Sequence, residues 1–461
     1  MSESPEAEAT VQGNKVRLGA NYWKLWTASV VSNLGDGVAV IAYPWLASAV
    51  TRNPILIALI AIAQRIPWLV FTLPAGVITD RVDRRKIMTS TSMFRAALTL
   101  GVAVVVFLNQ DVLPSPDDIA SGALVESNVA VYVTLVISAL LFGFAEVLYD
   151  NAAQTILPAI VEPEGLERAN GRLWGAEMVM NQFAGPPLGS VLIAVAFAVP
   201  FFFDAGTFAI SAALIFALTG VFRVESEAEL AGEERAGFWD EIKEGVRWLW
   251  AHPLLRPMAI ILGLINGLFA LMFATMVLFA QEVLLVTTTT FAFLMMAGAI
   301  GGVLGSVLAP KISEKLGSGT SLYITLIVQT LSALVVGFAT HWMIAAVMFV
   351  FTSFTGVLWN VITVSLRQTI IPDHLLGRVN SVYRFFAWGM MPIGLAIGGL
   401  VVSGAEMLGV DRIMALRVPY FVSAAALFIV FLWAAPQLTT DKIEAARAEG
   451  TAVIEAEDAP D

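Results

Sequence analysis

The sequence predicts an all-α membrane protein: twelve transmembrane helices in two pseudo-symmetric six-helix bundles. Composition is the first reason. Of 461 residues, 58% are apolar and 14% charged, with a mean hydropathy of +0.79. A soluble domain is nearer half apolar and about a quarter charged. The second reason is the length of the apolar runs, since a bilayer core needs about 20 residues per helix. Spans fall at about 25–50, 54–79, 87–109, 128–150, 171–198, 200–221, 256–281, 289–312, 320–339, 342–370, 376–403 and 416–434. The third reason is an internal repeat. Gln154-Thr-Ile-Leu-Pro158 is echoed by Gln368-Thr-Ile-Ile-Pro372, and Arg168-Ala-Asn170 by Arg378-Val-Asn380. Repeats in the same order in both halves mark two related helical units joined in tandem.

Charge sets the expected topology. Arg52, Arg412 and Arg417 fall on one face, Arg65 and Arg95 fall within spans, and the rest of the 26 lysines and arginines collect on the other face. The positive-inside rule places that richer face, and with it both termini, in the cytosol. The expected organisation is a cytosolic segment 1–21, a bundle 22–221, a linker 222–255, a second bundle 256–434 and an acidic cytosolic tail 435–461. The acid at the N-terminus, in 225–234 and in the tail reads as solvated or linker sequence. In the linker, Phe238, Ile242, Val246 and Leu249 recur at helical spacing. That pattern fits a helix lying in the membrane interface or one packed on the underside of the protein.

The turn Gly76-Val-Ile-Thr-Asp80-Arg81-Val-Asp83-Arg84-Arg85-Lys86 joins spans 2 and 3. It is either a plain topology anchor or something more specific. Its spacing resembles the signature loop of the major facilitator superfamily, although that pattern usually has Gly where this chain has Asp83. A faded copy, Pro310-Lys-Ile-Ser-Glu314-Lys315-Leu-Gly317, follows span 8. Gly185-Pro186-Pro187-Leu188-Gly189-Ser190 in span 5 permits close approach and a kink. It resembles the Gly-Pro-x-x-Gly-Gly element of proton-driven drug exporters in that superfamily, with Ser190 in place of the final Gly. The whole order, from Asn21-Tyr-Trp-Lys-Leu-Trp26 through Leu34-Gly-Asp-Gly37 to Asn170, looks most like the branch of enterobactin-type exporters and macrolide efflux pumps.

Ionisable groups inside spans each call for a reason, because insertion costs roughly 2.5–3.5 kcal/mol apiece. Asp36 and Arg65 lie roughly 15–18 Å from opposite faces at 1.5 Å per residue. They are expected to face one another or a shared wet cavity, as a proton site or as a buried structural ion pair. Desolvation favours a neutral acid and a neighbouring guanidinium favours the carboxylate, a competition that a proton site exploits. Asn181, Asn266 and Asn360 join them as cavity candidates, each also explicable as interhelical glue. Glu146, Asp150, Arg172 and Glu177 gather near the expected cytosolic ends of spans 4 and 5. With Asp80, Arg81 and Arg95 they are read as a network latching the inner face. The resemblance implies that Asp80 meets the N-terminus of span 11, where a helix attracts an anion.

Other function classes find little support. His252, His341 and His374 are scattered, there is no cysteine, and neither His-Glu-x-x-His, Gly-x-Ser-x-Gly nor a phosphate-binding Gly-x-x-x-x-Gly-Lys-Ser/Thr occurs. No enzyme, metal site, cofactor or nucleic-acid partner is expected. The resemblance implies a bacterial plasma-membrane exporter exchanging protons for an amphipathic small molecule; a monomer among membrane lipids is the separate expectation for its assembly. A lipid flippase, an importer and a transport-derived sensor are the competing readings.

Overall fold

In hydrocarbon every backbone N–H and C=O must find its partner within the protein, so apolar runs of this length cross as helices. The computed structural model describes residues 18–115, 118–119, 128–162, 165–222, 238–371 and 373–457. Twelve spans are present among them. Span 1 is Ala20–Val50. Span 2 is Pro54–Val70 continued by Thr72–Arg81, and span 3 is Arg84–Leu108. Span 4 is Val129–Ile156, and span 5 runs from Leu166–Glu177 through a π-helical segment, Met178–Ala184, into Gly185–Val195. Span 6 is Val199–Phe216. Span 7 is Leu255–Phe273 extended by Met276–Leu278 and a π turn, Phe279–Val283. Spans 8 to 12 are Thr288–Leu316, Ser318–Phe338, Trp342–Ile370, Asp373–Met407 and Arg412–Ala434.

Proline explains two of the breaks. Pro74 has no N–H to donate to Val70, and span 2 is interrupted there, at Phe71. Pro186 and Pro187 leave the carbonyls of Gln182 and Phe183 without their usual donors, and the π-helical segment ends just before them. Short polar side chains close the other ends. Asn53 accepts from the amides of Ile55 and Leu56, Asn128 from Val131, and Asp411 from Ile413. Thr287 and Thr290 form a reciprocal box at the start of span 8.

The two halves pack alike. Spans 1·5, 1·6, 3·4, 3·6 and 2·4 of the first half correspond to 7·11, 7·12, 9·10, 9·12 and 8·10 of the second, and the halves meet through 2·11 and 5·8. That pattern is two-fold pseudo-symmetry read from contacts. Both chain ends lie on one face, called here the terminal face. Towards the opposite, far face a single apolar core crosses both halves, joining Trp45, Phe201 and Leu135 to Phe279, Phe291 and Tyr420. Towards the terminal face the cores are separate: Tyr22, Met88 and Ile156 belong to the first half, Met258, Trp359 and Tyr383 to the second.

Span 1 begins earlier than its apolar run, the tail is better packed than its composition suggests, and the linker helix takes one of the two placements expected for it. Span 1 starts at Ala20, because Asn21 bonds Thr219 (Nδ2 to O, 2.8 Å) and Lys24 bonds the Ala217 carbonyl (2.6 Å), docking the helix start on the end of span 6. The tail is not simply solvated: Thr440–Glu457 is a helix with Ile443 buried, and Gly319 lets its backbone close on span 9. The linker helix, Phe238–Ala251, packs against span 11. A Cβ on Gly245 would stand 2.9 Å from the Arg378 carbonyl, Glu244 pairs with Arg378, and Leu249 is buried. The Phe238 and Ile242 side chains lie outside the described ones.

Asp83 is the N-cap of span 3, with φ −56°, so the position makes no demand for glycine. Its carboxylate accepts from Lys86 N at 3.1 Å and from Phe222 N at 2.9 Å, tying span 3 to the end of span 6. Asp83→Ala is expected to lower stability by about 1–2 kcal/mol. Thermal unfolding of the detergent-purified protein checks this, and an unchanged midpoint would remove the cap from the account.

Candidate functional site

Asp36 sits where spans 1, 5 and 6 cross, and its flanking glycines make the crossing tight. A Cβ on Gly37 would fall 2.7 Å from Asn181 O and 2.8 Å from Met180 O, both in the π-helical segment of span 5. Gly185 in turn abuts Gly37, and Gly189 abuts the Val38 backbone. On the other side Gly35 lies against Asp204 and Thr207 of span 6. The Asp36 carboxylate accepts from Arg95 Nη2 at 2.7 Å. Arg95 is almost wholly enclosed, at 3% side-chain exposure, while Asp36 keeps 24%. The guanidinium lies 4.0 Å from the Phe208 ring centroid and 4.5 Å from that of Phe142, with Tyr149 further off.

The predicted partnership of Asp36 with Arg65 is therefore corrected to Asp36 with Arg95. Depth along a helix follows from sequence, but the direction a side chain faces follows from packing. Span 1 packs on spans 5 and 6 and barely on span 2, so Arg65 does not meet Asp36. Arg95 also lies deeper than expected, roughly 16 Å from the start of span 3 at Arg84. It belongs to the bundle core, not to an inner-face latch. Arg65 is partly exposed on span 2, within Coulombic reach of Glu146.

The remaining candidates divide. Glu146 and Asp150, one turn apart on span 4, are part-buried within the field of Arg95. Glu177 is exposed, and Arg172 lies over the Trp23 ring at 5.3 Å. Asn266 donates to the Ala387 carbonyl at 2.9 Å, fixing span 7 to span 11, and Asn360 is exposed on span 10. In the signature loop, Arg84 donates to Thr155 O at 2.7 Å and Arg85 to Leu218 O at 2.6 Å, both inside the first half. Gly76 has open space where a Cβ would go. The Asp80 and Arg81 side chains, and so the contact expected with span 11, lie outside the described ones. Glu314 and Lys315 are exposed at the end of span 8, which stops at Gly317 with φ +81°.

A second polar cluster, missed by the sequence reading, joins the halves at the far face. Arg412 of span 12 holds Glu282 with two bonds, 2.8 and 3.0 Å, pairs with Glu406, and donates to Arg52 O at 2.9 Å across the interface. Arg52 bonds Gln281 and the Ile119 carbonyl, and its guanidinium stands 3.6 Å from Glu282. Gln281 also donates to Ser48 at 2.9 Å, and Ser190 meets Thr289 at 3.0 Å. Burial lowers the Arg52 pKa from its ordinary value, Glu282 opposes this, and Arg412 adds to it. Two arginines on the arginine-poor face were the available signal.

Below this cluster the halves stay in contact as far as Trp68 and Trp388, whose rings stack at 5.9 Å, and Leu69 beside Gly389. Beyond that depth the apolar clusters among the described residues each belong to one half. Among the described residues, the contacts that join the halves lie from the far face to mid-depth.

Comparison with known proteins agrees with this architecture. The family model described as Major Facilitator Superfamily matches residues 25–395. The multidrug efflux pump Tap of Mycolicibacterium fortuitum is 26% identical over 398 residues, covering 82% of this chain and 88% of the relative. The enterobactin exporter EntS of Shigella boydii is 21% identical over 382 residues, covering 82% and 84%. Among solved structures, a bacterial homologue of the iron transporter ferroportin in its inward-facing state superposes with a TM-score of 0.66 at 15% identity, covering 94% of this chain and 98% of that one. The nucleoside transporter NupG gives 0.63 at 11% identity, covering 90% and 98%. Twelve helices in two like-packed bundles, with this match over most of the length, place the chain in the Major Facilitator Superfamily, as a multi-pass membrane transporter and not an enzyme.

Proposed function

We propose that the protein is a proton-coupled antiporter of a bacterial plasma membrane that exports amphipathic small molecules by alternating access. The observation that carries the reading is the Asp36–Arg95 pair, an ionisable couple at the crossing of spans 1, 5 and 6 with the acid still a quarter exposed. Such groups inside a membrane are expensive and are kept for ion pathways and proton relays. Protonating Asp36 removes the charge that holds Arg95 and frees the crossing to rearrange. The export direction is supported by the relatives named as a multidrug efflux pump and an enterobactin exporter.

On this reading the terminal face is cytosolic by the positive-inside rule, and the separate apolar cores of the two halves towards that face support an inward-facing state. The moving bodies are the bundle 22–221 and the bundle 256–434, linked by 222–255. Substrate is taken up between them from the cytosol, past polar candidates such as Asn181 and Asn360. The Arg52–Glu282–Arg412 network is the external gate, and the Asp80 loop is the latch that forms against the start of span 11 when the protein turns outward. The two gates close alternately.

Asp36→Asn is expected to abolish efflux driven by a pH gradient in proteoliposomes while leaving membrane assembly intact. Undiminished gradient-driven efflux in that variant would sink the proton reading. The external gate has its own test. Arg52→Ala removes the two side-chain contacts that Arg52 makes across the interface, with Gln281 and Glu282, and leaves the Arg412 bond to its main-chain carbonyl; the two are together worth about 1–3 kcal/mol. That is a shift of roughly five- to 150-fold toward the outward-open state. The chain has no cysteine, so single cysteines placed on spans 1 and 7 above Trp45 report it as faster labelling by a membrane-impermeant maleimide. Unchanged labelling rates would show that the network does not gate.

A further inference from the structure

Behind the Asp36–Arg95 pair lies a further acid. Asp204 of span 6 is 1% exposed. Its Oδ2 has no hydrogen-bond partner. Its Oδ1 receives only the Thr207 hydroxyl, at 3.4 Å, and that hydroxyl is directed chiefly at the Asp204 carbonyl, at 2.7 Å. Gly35 is what gives this side chain its room, since a Cβ there would strike Asp204 Oδ1 and Thr207 Oγ1. Gly35 also precedes Asp36 in sequence, so the two carboxyls flank one turn of span 1. The complementary vacancy is on Arg95, whose Nε is buried with no acceptor. Arg95 and Asp36 both act electrostatically on Asp204. Of the other groups around it, Tyr43 of span 1 is in its field, while Glu146 and Tyr149 of span 4 face Arg95 from the other side.

One guanidinium thus bonds one carboxyl, Asp36, and acts electrostatically on a second, Asp204, which is the more deeply buried of the two. Two like charges sharing such a site cannot both be held without a large cost, and an unpaired buried charge costs several kcal/mol. The set of three is neutral only with one proton aboard. We propose that Asp204 is a second proton-binding carboxyl, sharing Arg95 with Asp36 so that whichever acid lacks the guanidinium carries the proton. The inference deepens the proton-coupled reading and rests on it for its role in transport. In the arrangement seen here Arg95 holds Asp36 and the proton sits on Asp204. When the guanidinium turns to Asp204, the O–H bond there breaks and one forms on Asp36, directly or through one water. The Arg95 charge is unchanged and the proton count stays at one. Asp36, the more exposed acid, then exchanges that proton with the water-filled side.

The test counts protonated carboxyls in the full-length purified protein by infrared difference spectroscopy at neutral pH. Relative to the wild type, Asp204→Asn and Asp36→Asn should each lose about one protonated carboxyl per chain, and Arg95→Gln should gain about one. A purely structural Asp204 also allows the gain in Arg95→Gln, because Asp36 loses its cation there, but it predicts no loss in Asp36→Asn. An unchanged count in Asp36→Asn overturns the sharing, as does a wild-type count in Asp204→Asn. Where Asp204→Asn fails to assemble, Asp204→Glu replaces it: the protonated band should move in frequency, and an unmoved band overturns the assignment. Efflux of ethidium from proteoliposomes, run on the same variants, separates the two readings. Full gradient-driven efflux by Asp36→Asn would remove the antiport reading while leaving the infrared counts to decide Asp204 by themselves.

Discussion

A guanidinium held inside a helix bundle needs an anion beside it and apolar walls that tolerate it. Arg95 has Asp36 for the first and the rings of Phe142, Phe208 and Tyr149 for the second. Much of the first half follows from placing those groups together. Asp36 reaches Arg95 only if span 1 runs against spans 5 and 6 at backbone distance. That approach needs Gly35 and Gly37 on span 1 and Gly185 and Gly189 on span 5. Span 5 meets it with the backbone of its π-helical segment, next to the prolines that prevent a regular ladder. Sequence motif, helix irregularity and ion pair are one arrangement, each part costly without the others.

The polar groups that join the halves are graded by depth in a way their cost explains. At the far face, where water is near, the contacts are ionic: Arg52, Glu282, Glu406 and Arg412. Deeper in, the joining contact is aromatic, Trp68 on Trp388. A charged gate at that depth would be costly to break, since each parted group would lose its partner in a low-dielectric medium. Partly exposed pairs are individually weak, so a network of them holds one state without locking it. The alternating-access proposal needs a contact of that kind, because two interconverting states differ by only a few kcal/mol.

The sequence made the fold legible because its signal is long-range and redundant. Twelve apolar runs, a charge asymmetry between faces and an ordered repeat all give the same answer, and errors of a few residues at helix ends do not alter it. The site was legible in height and not in direction. Asp36 stood out as an acid in an apolar run, but its partner was decided by which helices touch, and Arg65 and Arg95 are alike on a hydropathy trace. Asp204 near the start of span 6 is unremarkable in the sequence, since nothing there reveals that Gly35 makes room for it. The far-face arginines were read as topology markers because their partners Glu282 and Glu406 sit at helix ends, where acids are unremarkable. The tail looked solvated by composition, and only the contact with Gly319 shows why Leu438 and Ile443 are buried.

The halves are alike in packing and unlike in chemistry, and glycine shows where they diverge. Span 1 crosses span 5, and span 7 crosses span 11, at glycine-lined contacts: Gly37 with Gly185 in one, Gly267 with Gly394 in the other. At the first crossing sits Asp36, an acid that can gain or lose a proton. At the second sits Asn266, which donates to the Ala387 backbone and has no proton to exchange at physiological pH. The connecting loops diverge likewise. Span 8 ends on Gly317 with a positive φ, whereas at the matching place Asp83 caps span 3 and bonds span 6. At its glycine crossing the second half is therefore pinned by a neutral bond, while the first half carries an ion pair there. If a proton drives this carrier, the repeat supplies the hinge geometry and the first half supplies the switch.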